Sequence, residues 1–225
     1  MCAGAPVTTG TRIKFCGLTR DEDSIQVGPL GGSYAGVIFA GGPRKVSLPR
    51  AALLLSIVAP GVKKVGVFGD QSLDEIGEAV LRAWLHVVQL HNDATPDEVA
   101  RTREVTQCEV WAVVRMDDPD AAMRRIASLD GVADAILVDS SVPGRFGGSG
   151  VMFDWDAFTP DMRPRKSALA VAGGLTPDNV GDAIRALSPD IVDVSSGVER
   201  TRGIKDHDRM RAFADAVRRY ETKGR

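Results

Sequence analysis

The chain has 225 residues, 44% hydrophobic and 26% charged, with 28 Lys and Arg against 30 Asp and Glu. That length supports a large core, and the net charge of -2 argues against a nucleic-acid surface, which requires a basic face. No apolar run approaches the roughly 18 residues a membrane span needs.

Met1 to Gly10 is uncharged and lacks the basic start and long apolar centre of a secretory signal. Residues 1–11 are therefore expected to be a flexible lead-in, residues 12–222 a single domain, and the protein cytoplasmic. An apolar-leaning strand then ends at Cys16, followed by Gly17 and a polar helix over 19–30 with Thr19 as N-cap. Gly28-Pro29 and Gly31-Gly32 keep that helix short. Residues 34–39 form a continuous apolar run rich in β-formers, as expected of a strand buried on both faces. A loop with Gly41, Gly42, Pro43 and Arg44 leads to a helix over 49–58 that Pro49 opens.

The same unit repeats. A strand over 62–68 precedes a helix over 72–83, whose Ser72 and Glu75 make a capping box. A strand over 85–90 ends in Gln89-Leu90-His91, and Thr95, Pro96 and Glu98 open a helix over 95–106. A strand over 109–115 and a helix over 119–129 follow, then a strand over 133–138 that ends at Asp139. A glycine-rich loop (Gly144, Gly147, Gly148, Gly150) and a short helix over 154–158 come next. A strand over 169–172 ends in Gly173-Gly174, and Thr176 caps a helix over 176–187. A strand over 191–194 ends in Ser195-Ser196-Gly197, and a helix over 207–220 closes the series. Strict alternation of near-continuous apolar strands with helices means a parallel sheet. Eight units fit a single α/β domain, a closed (β/α)8 barrel, better than an open doubly wound sheet.

In such a barrel all C-terminal strand ends lie on one face, where residues far apart in sequence converge. Gly173-Gly174 and Ser195-Ser196-Gly197 end the last two strands, where backbone N–H groups can approach an anion closely, so a phosphate site is expected there. Asp139, at the lip of an apolar strand, has its charged form disfavoured by desolvation and could serve as a general acid. Arg44 is either a solvated surface arginine beside Lys45 or a residue that grips a carboxylate with two parallel hydrogen bonds. Cys16 is either a buried small hydrophobe or an exposed thiol at a strand tip; His91 and Arg115 are weaker candidates at the same face. Lys205 and Asp206 read as surface and helix-start residues, and Trp84, Trp111 and Trp155 as packing groups. Cys2, Cys16 and Cys108 give no disulfide framework or zinc pattern, and His86, His91 and His207 form no metal motif. No metal is expected.

The segments Ile13-Lys14-Phe15-Cys16-Gly17-Leu18-Thr19-Arg20, Gly36-Val37-Ile38-Phe39 with Pro43-Arg44, Val65-Gly66-Val67-Phe68 and Val88-Gln89-Leu90-His91 stand in one order with Leu137-Val138-Asp139-Ser140. Gly147-Gly148-Ser149-Gly150, Phe153-Asp154-Trp155, the run from Ala172 to Val180 and the run from Val192 to Glu199 continue it. Together they resemble the phosphoribosylanthranilate isomerase family of tryptophan biosynthesis from Arg12 to Phe213. The resemblance implies an Amadori rearrangement of a phosphosugar without cofactor or metal, by a monomer or homodimer. It implies Cys16 as general base, Asp139 as general acid and Arg44 as the contact for the anthranilate carboxylate. Gly148, Gly173, Gly174, Ser196 and Gly197 would hold the phosphate. Gly41-Gly42 departs from the serine-like residue usual before the Pro-Arg pair. The related histidine-pathway aminoaldose isomerases resemble this chain less, because they carry an aspartate where Cys16 stands. A non-catalytic phosphosugar-binding protein is disfavoured by the intact acid and base positions.

Overall fold

In the computed structural model, which describes residues 10–139 and 158–223, eight parallel strands close into a ring in chain order. They are β1 (Arg12–Phe15), β2 (Tyr34–Ile38), β3 (Lys63–Phe68), β4 (Val87–Leu90), β5 (Glu109–Arg115), β6 (Ala135–Asp139), β7 (Ala168–Ala172) and β8 (Ile191–Val194). The helices between and after them are α1 (Asp21–Gln26), α2 (Leu48–Ser56), α3 (Leu73–Ala83), α4 (Pro96–Thr106), α5 (Pro119–Leu129), α6 (Val180–Leu187) and α7 (His207–Lys223). The expected closed barrel is the fold observed. The glycine loop at 144–150 and the short helix at 154–158, with Gly148 and Trp155, lie outside the described residues apart from Phe158.

Because strand side chains alternate between faces, each strand feeds two cores. Ile13, Phe15, Val37, Val88, Val110, Val114, Ile136 and Val138 point outward to the helices and join the larger apolar cluster. The opposite parity points into the barrel, where Tyr34, Val65, Val87, Trp111, Leu137, Ala170 and Ile191 fill the axis. This is why the strands read as continuous apolar runs rather than alternating ones. The N-terminal mouth is closed by the Trp111 ring set edge-on to Tyr34 at 4.8 Å. Arg12 donates to the Tyr34 hydroxyl at 2.6 Å, and Lys63 pairs with Glu109.

Local chemistry explains most helix starts. Ser72 and Thr95 form complete capping boxes with Glu75 and Glu98. Asp206 accepts from the backbone of Asp208 and Arg209 and so caps α7, as its helix-start reading expected. Two expected caps are corrected. Thr19 does not cap α1; its hydroxyl donates to the Gly203 carbonyl, and Arg20 stands at the cap position without a side-chain bond. Thr176 does not open α6 either. Asn179 accepts from the Thr176 N–H and donates to the Gly174 carbonyl, which ties residues 174–179 into a turn ahead of the helix.

Two further expectations are corrected. Trp84 is 75% exposed, because it follows α3 in a left-handed conformation, off the buried stripe of Ile76, Ala79 and Ala83. Lys205 is not a surface residue but only 2% exposed. A short antiparallel hairpin after β8 that the periodicity does not signal, β9 (Glu199–Thr201) and β10 (Ile204–Lys205), places it there. Among the described residues, no helix is long and apolar enough to cross a membrane.

Candidate active site

The C-terminal mouth of the barrel opens into a cavity of about 260 Å³. Cys16, Gln89, His91, Asp139, Asp193 and Ser195 line it from the inward parity of their strands, and Arg44, Gly173, Gly174 and Ser196 line it from the loops above. Sequence-distant candidates thus meet at one place. Cys16 is fixed just beyond β1, where its N–H donates to the Val194 carbonyl of β8 at 2.9 Å. Asp139 closes β6, in register with Ala172 of β7 and Arg115 of β5. Three steps around the ring separate β1 from β6, so thiol and carboxylate flank the cavity from different sides.

Burial pushes the Cys16 thiol above its ordinary value, while the charge of Lys14 pulls it down, the Asp193 carboxylate raises it, and a hydrogen bond from Lys14 and the charge of Lys205 lower it. Burial also holds His91 below its usual range, so its imidazole is neutral at neutral pH. His91 Nδ1 lies 3.5 Å from Gln89 Nε2. Gln89 Oε1 and Asp193 Oδ1 are buried without a hydrogen-bond partner among the described residues. Buried acceptors of this kind are costly to leave open, and both residues line the cavity.

Arg44 is already gripped on one edge. Its Nε and Nη2 donate to the two oxygens of Glu199 at 2.7 Å each. A guanidinium has five N–H donors, so the Nη1 side stays available for a second anion. Glu199 also accepts from Lys205 Nζ at 3.1 Å, and Lys205 donates to the Ser195 carbonyl at 3.0 Å. Burial would raise the Glu199 carboxyl, but the hydrogen bond from Arg44 and the charge of Lys205 outweigh it and hold the group below its ordinary value. The hairpin after β8 therefore orients Arg44 at the cavity rim.

Gly173 and Gly174 have φ of +90° and +66°, the left-handed region that side chains other than glycine rarely occupy. The chain thus turns sharply at the end of β7 and brings backbone to the cavity edge. Ser196 lines that edge, whereas Gly197 lies behind it, where a Cβ would meet the Leu175 carbonyl oxygen at 1.8 Å. Arg115 is not brought to the cavity lining; it turns toward Asp93, 3.5 Å away. Gly148 lies outside the described residues. Sequence reasoning missed Lys14, Asp193, Glu199 and Lys205. The parity of β1 and β8 carried a signal for the first two, since Lys14 precedes Cys16 by two and Asp193 precedes Ser195 by two. Among the described residues, no group of three or more His, Cys, Asp or Glu side chains could hold a metal ion.

Residues 13–216 match the family described as N-(5'-phosphoribosyl)anthranilate (PRA) isomerase. A relative from Pseudomonas aeruginosa, named N-(5'-phosphoribosyl)anthranilate isomerase, is 40% identical over 208 residues, covering 92% of this chain and 95% of the relative. The crystal structure of phosphoribosyl anthranilate isomerase from Thermotoga maritima superposes with a TM-score of 0.85 at 32% identity, covering 92% of this chain and 98% of that one. A phosphoribosyl anthranilate isomerase in complex with reduced 1-(o-carboxyphenylamino)-1-deoxyribulose 5-phosphate superposes with a TM-score of 0.77 at 29% identity, with 92% and 98% coverage.

Proposed function

The chain belongs to the N-(5'-phosphoribosyl)anthranilate isomerase family, and from that premise we propose how its own residues carry out the rearrangement of N-(5-phosphoribosyl)anthranilate to the open-chain ketone in tryptophan biosynthesis. Asp139 is the general acid and protonates the furanose ring oxygen, which opens the ring to an iminium. Cys16 is the general base and takes the proton from the sugar's second carbon. The electron pair left behind moves into the iminium and gives an enolamine, which becomes the ketone. Arg44, oriented by Glu199, holds the anthranilate carboxylate through its unengaged edge. Gly173, Gly174 and Ser196 cradle the phosphate. His91, neutral, contributes a hydrogen bond rather than a charge.

One observation carries this reading: a thiol and a carboxylate from β1 and β6 line the same cavity as the glycine pair that ends β7. One acid, one base and two anion grips are what the reaction requires. The test follows the loss of anthranilate-sugar fluorescence with the purified protein and with Asp139→Asn. Turnover by the wild type and near-complete loss in the variant support the reading; full activity in the variant rejects Asp139 as the acid.

A further inference from the structure

Below Cys16 the barrel holds an ion pair that the chemistry above does not use. Lys14 lies two residues before Cys16, on the same inward face of β1, and is 0% exposed. Its Nζ is 2.7 Å from Asp193 Oδ2, and the two residues are partners in the β1–β8 register. Lys14 and Cys16 share one small space above β2. A Cβ at Gly36 would lie 3.1 Å from the Cys16 sulfur and 3.2 Å from Lys14 Cε. A side chain there would press on both residues. A lone ammonium so deeply buried would give up its proton. Burial does pull Lys14 down, yet the charge of Asp193, its hydrogen bond and, when the thiol ionises, the charge of Cys16 outweigh it and hold the group above its ordinary value. The cation under the thiol is therefore a maintained one.

We propose that Lys14 is a positioning residue for Cys16: its ammonium, anchored by Asp193, stabilises the thiolate that removes the sugar proton, before the substrate has developed any positive charge. This rests on Cys16 being the base. In the step, the C–H proton passes to sulfur and the bonding electrons pass into the iminium, while Lys14 keeps its own proton throughout. Burial works against a thiolate at Cys16, and Lys14 is the strongest influence opposing it. The other charged or titratable groups that act on this cluster are Asp193 from β8, His91 beyond β4, Lys205 from β10, Asp139 from β6 and Arg44 from the loop after β2, whose guanidinium is already paired with Glu199. Lys14 alone among them stands on β1, two residues before Cys16.

The experiment measures the ionisation of Cys16 directly, as the pH dependence of its alkylation by iodoacetamide, taken by difference against Cys16→Ala. Lys14→Met keeps the shape of the side chain and removes its charge. The midpoint is expected to move up by at least one pH unit, equivalent to a tenfold loss of thiolate at a fixed pH below it. The turnover number should fall with it, while the Michaelis constant stays within about twofold. Lys14→Met leaves Asp193 buried without its cation and could unfold the chain. The double variant Lys14→Met/Asp193→Asn removes that problem. Because Lys14 outweighs Asp193 at the thiol, its midpoint should still rise, by less. An unchanged midpoint in a folded variant overturns the proposal. Failure of Cys16 as base would show differently, as wild-type turnover in Cys16→Ala, whatever the titration of the thiol.

Discussion

The two ends of the barrel use the same strands and the same inward parity, yet they treat buried polar groups in opposite ways. At the N-terminal end Arg12 bonds to the Tyr34 hydroxyl, Lys63 pairs with Glu109, and Trp111 packs on Tyr34. The polar atoms there have partners, and an aromatic plug excludes water. Nearer the C-terminal end stand Lys14, Asp193, Gln89, Cys16 and Asp139, all buried. Here Gln89 Oε1 and Asp193 Oδ1 lack a partner among the described residues. Open acceptors beside a cavity reduce stability, and both of these line the cavity with the candidate catalytic groups. The difference teaches that one end of the barrel is built to persist and the other to react.

Substitutions should separate these ends cleanly. The largest effect is expected at the reacting end. Cys16→Ala should lower the turnover number by about a thousandfold or more, within the 10²–10⁴ range of a lost general base with its supporting charges. Its melting temperature should stay close to wild type, since only one sulfur is removed; calorimetry beside the fluorescence assay checks both. The opposite result is expected of Trp111→Ala. Truncating a buried aromatic costs about 3–5 kcal/mol, measured by urea unfolding, with near-normal turnover in the molecules that remain folded. If Trp111→Ala abolished turnover in stable protein, the division between the ends would fail.

Arg44→Ala should act between these extremes. Losing a charge-assisted contact is worth about 1.5–3 kcal/mol, so the Michaelis constant should rise roughly tenfold to a hundredfold. The turnover number should change less. An unchanged Michaelis constant would reject the carboxylate grip.

The pH profile gives a smaller and continuous test. The thiol is raised by burial, so its basic form is scarce at neutral pH and grows as pH rises toward its ionisation. The rate of Cys16 alkylation by iodoacetamide, which follows the thiolate alone, should therefore increase on the alkaline side of neutrality, about tenfold per pH unit. An alkylation rate that is flat across that range, or one that falls, would contradict a Cys16 thiol held up by burial. The smallest effect is expected of Lys63→Met at the other end. The Lys63–Glu109 pair is half-exposed, and such pairs are worth about 0–1 kcal/mol; neither unfolding nor turnover should move far.

Much of this division was legible in the sequence, because periodicity and capping are local. The strands β5 and β8 and the helix α5 lie where the pattern put them, and Ser72–Glu75 and Thr95–Glu98 signalled their helices from spacing alone. The convergence of Cys16, Arg44, Asp139 and Gly173-Gly174 on one cavity followed from the barrel topology. What was not legible depended on contacts between distant segments. Lys205 reads as an ordinary charged residue until the hairpin folds it onto Glu199 and Ser195. Thr19 reads as a cap until Gly203 takes its hydroxyl. Arg115 shares the inward parity of β5, yet its long side chain turns to Asp93. Lys14 was half-legible: its parity places it inside the barrel, but only the register with Asp193 shows how a buried ammonium is maintained.

The most direct test of the central claim, that Cys16 and Asp139 work as a base and acid pair on an otherwise preformed site, compares catalysis with binding in the same variants. Cys16→Ala and Asp139→Asn are assayed for turnover of phosphoribosylanthranilate and, by calorimetric titration, for affinity toward the reduced product analogue. The expected result is turnover lost in both with affinity kept within a few-fold of wild type. Wild-type turnover in either variant, or loss of affinity equal to the loss of rate, would contradict it.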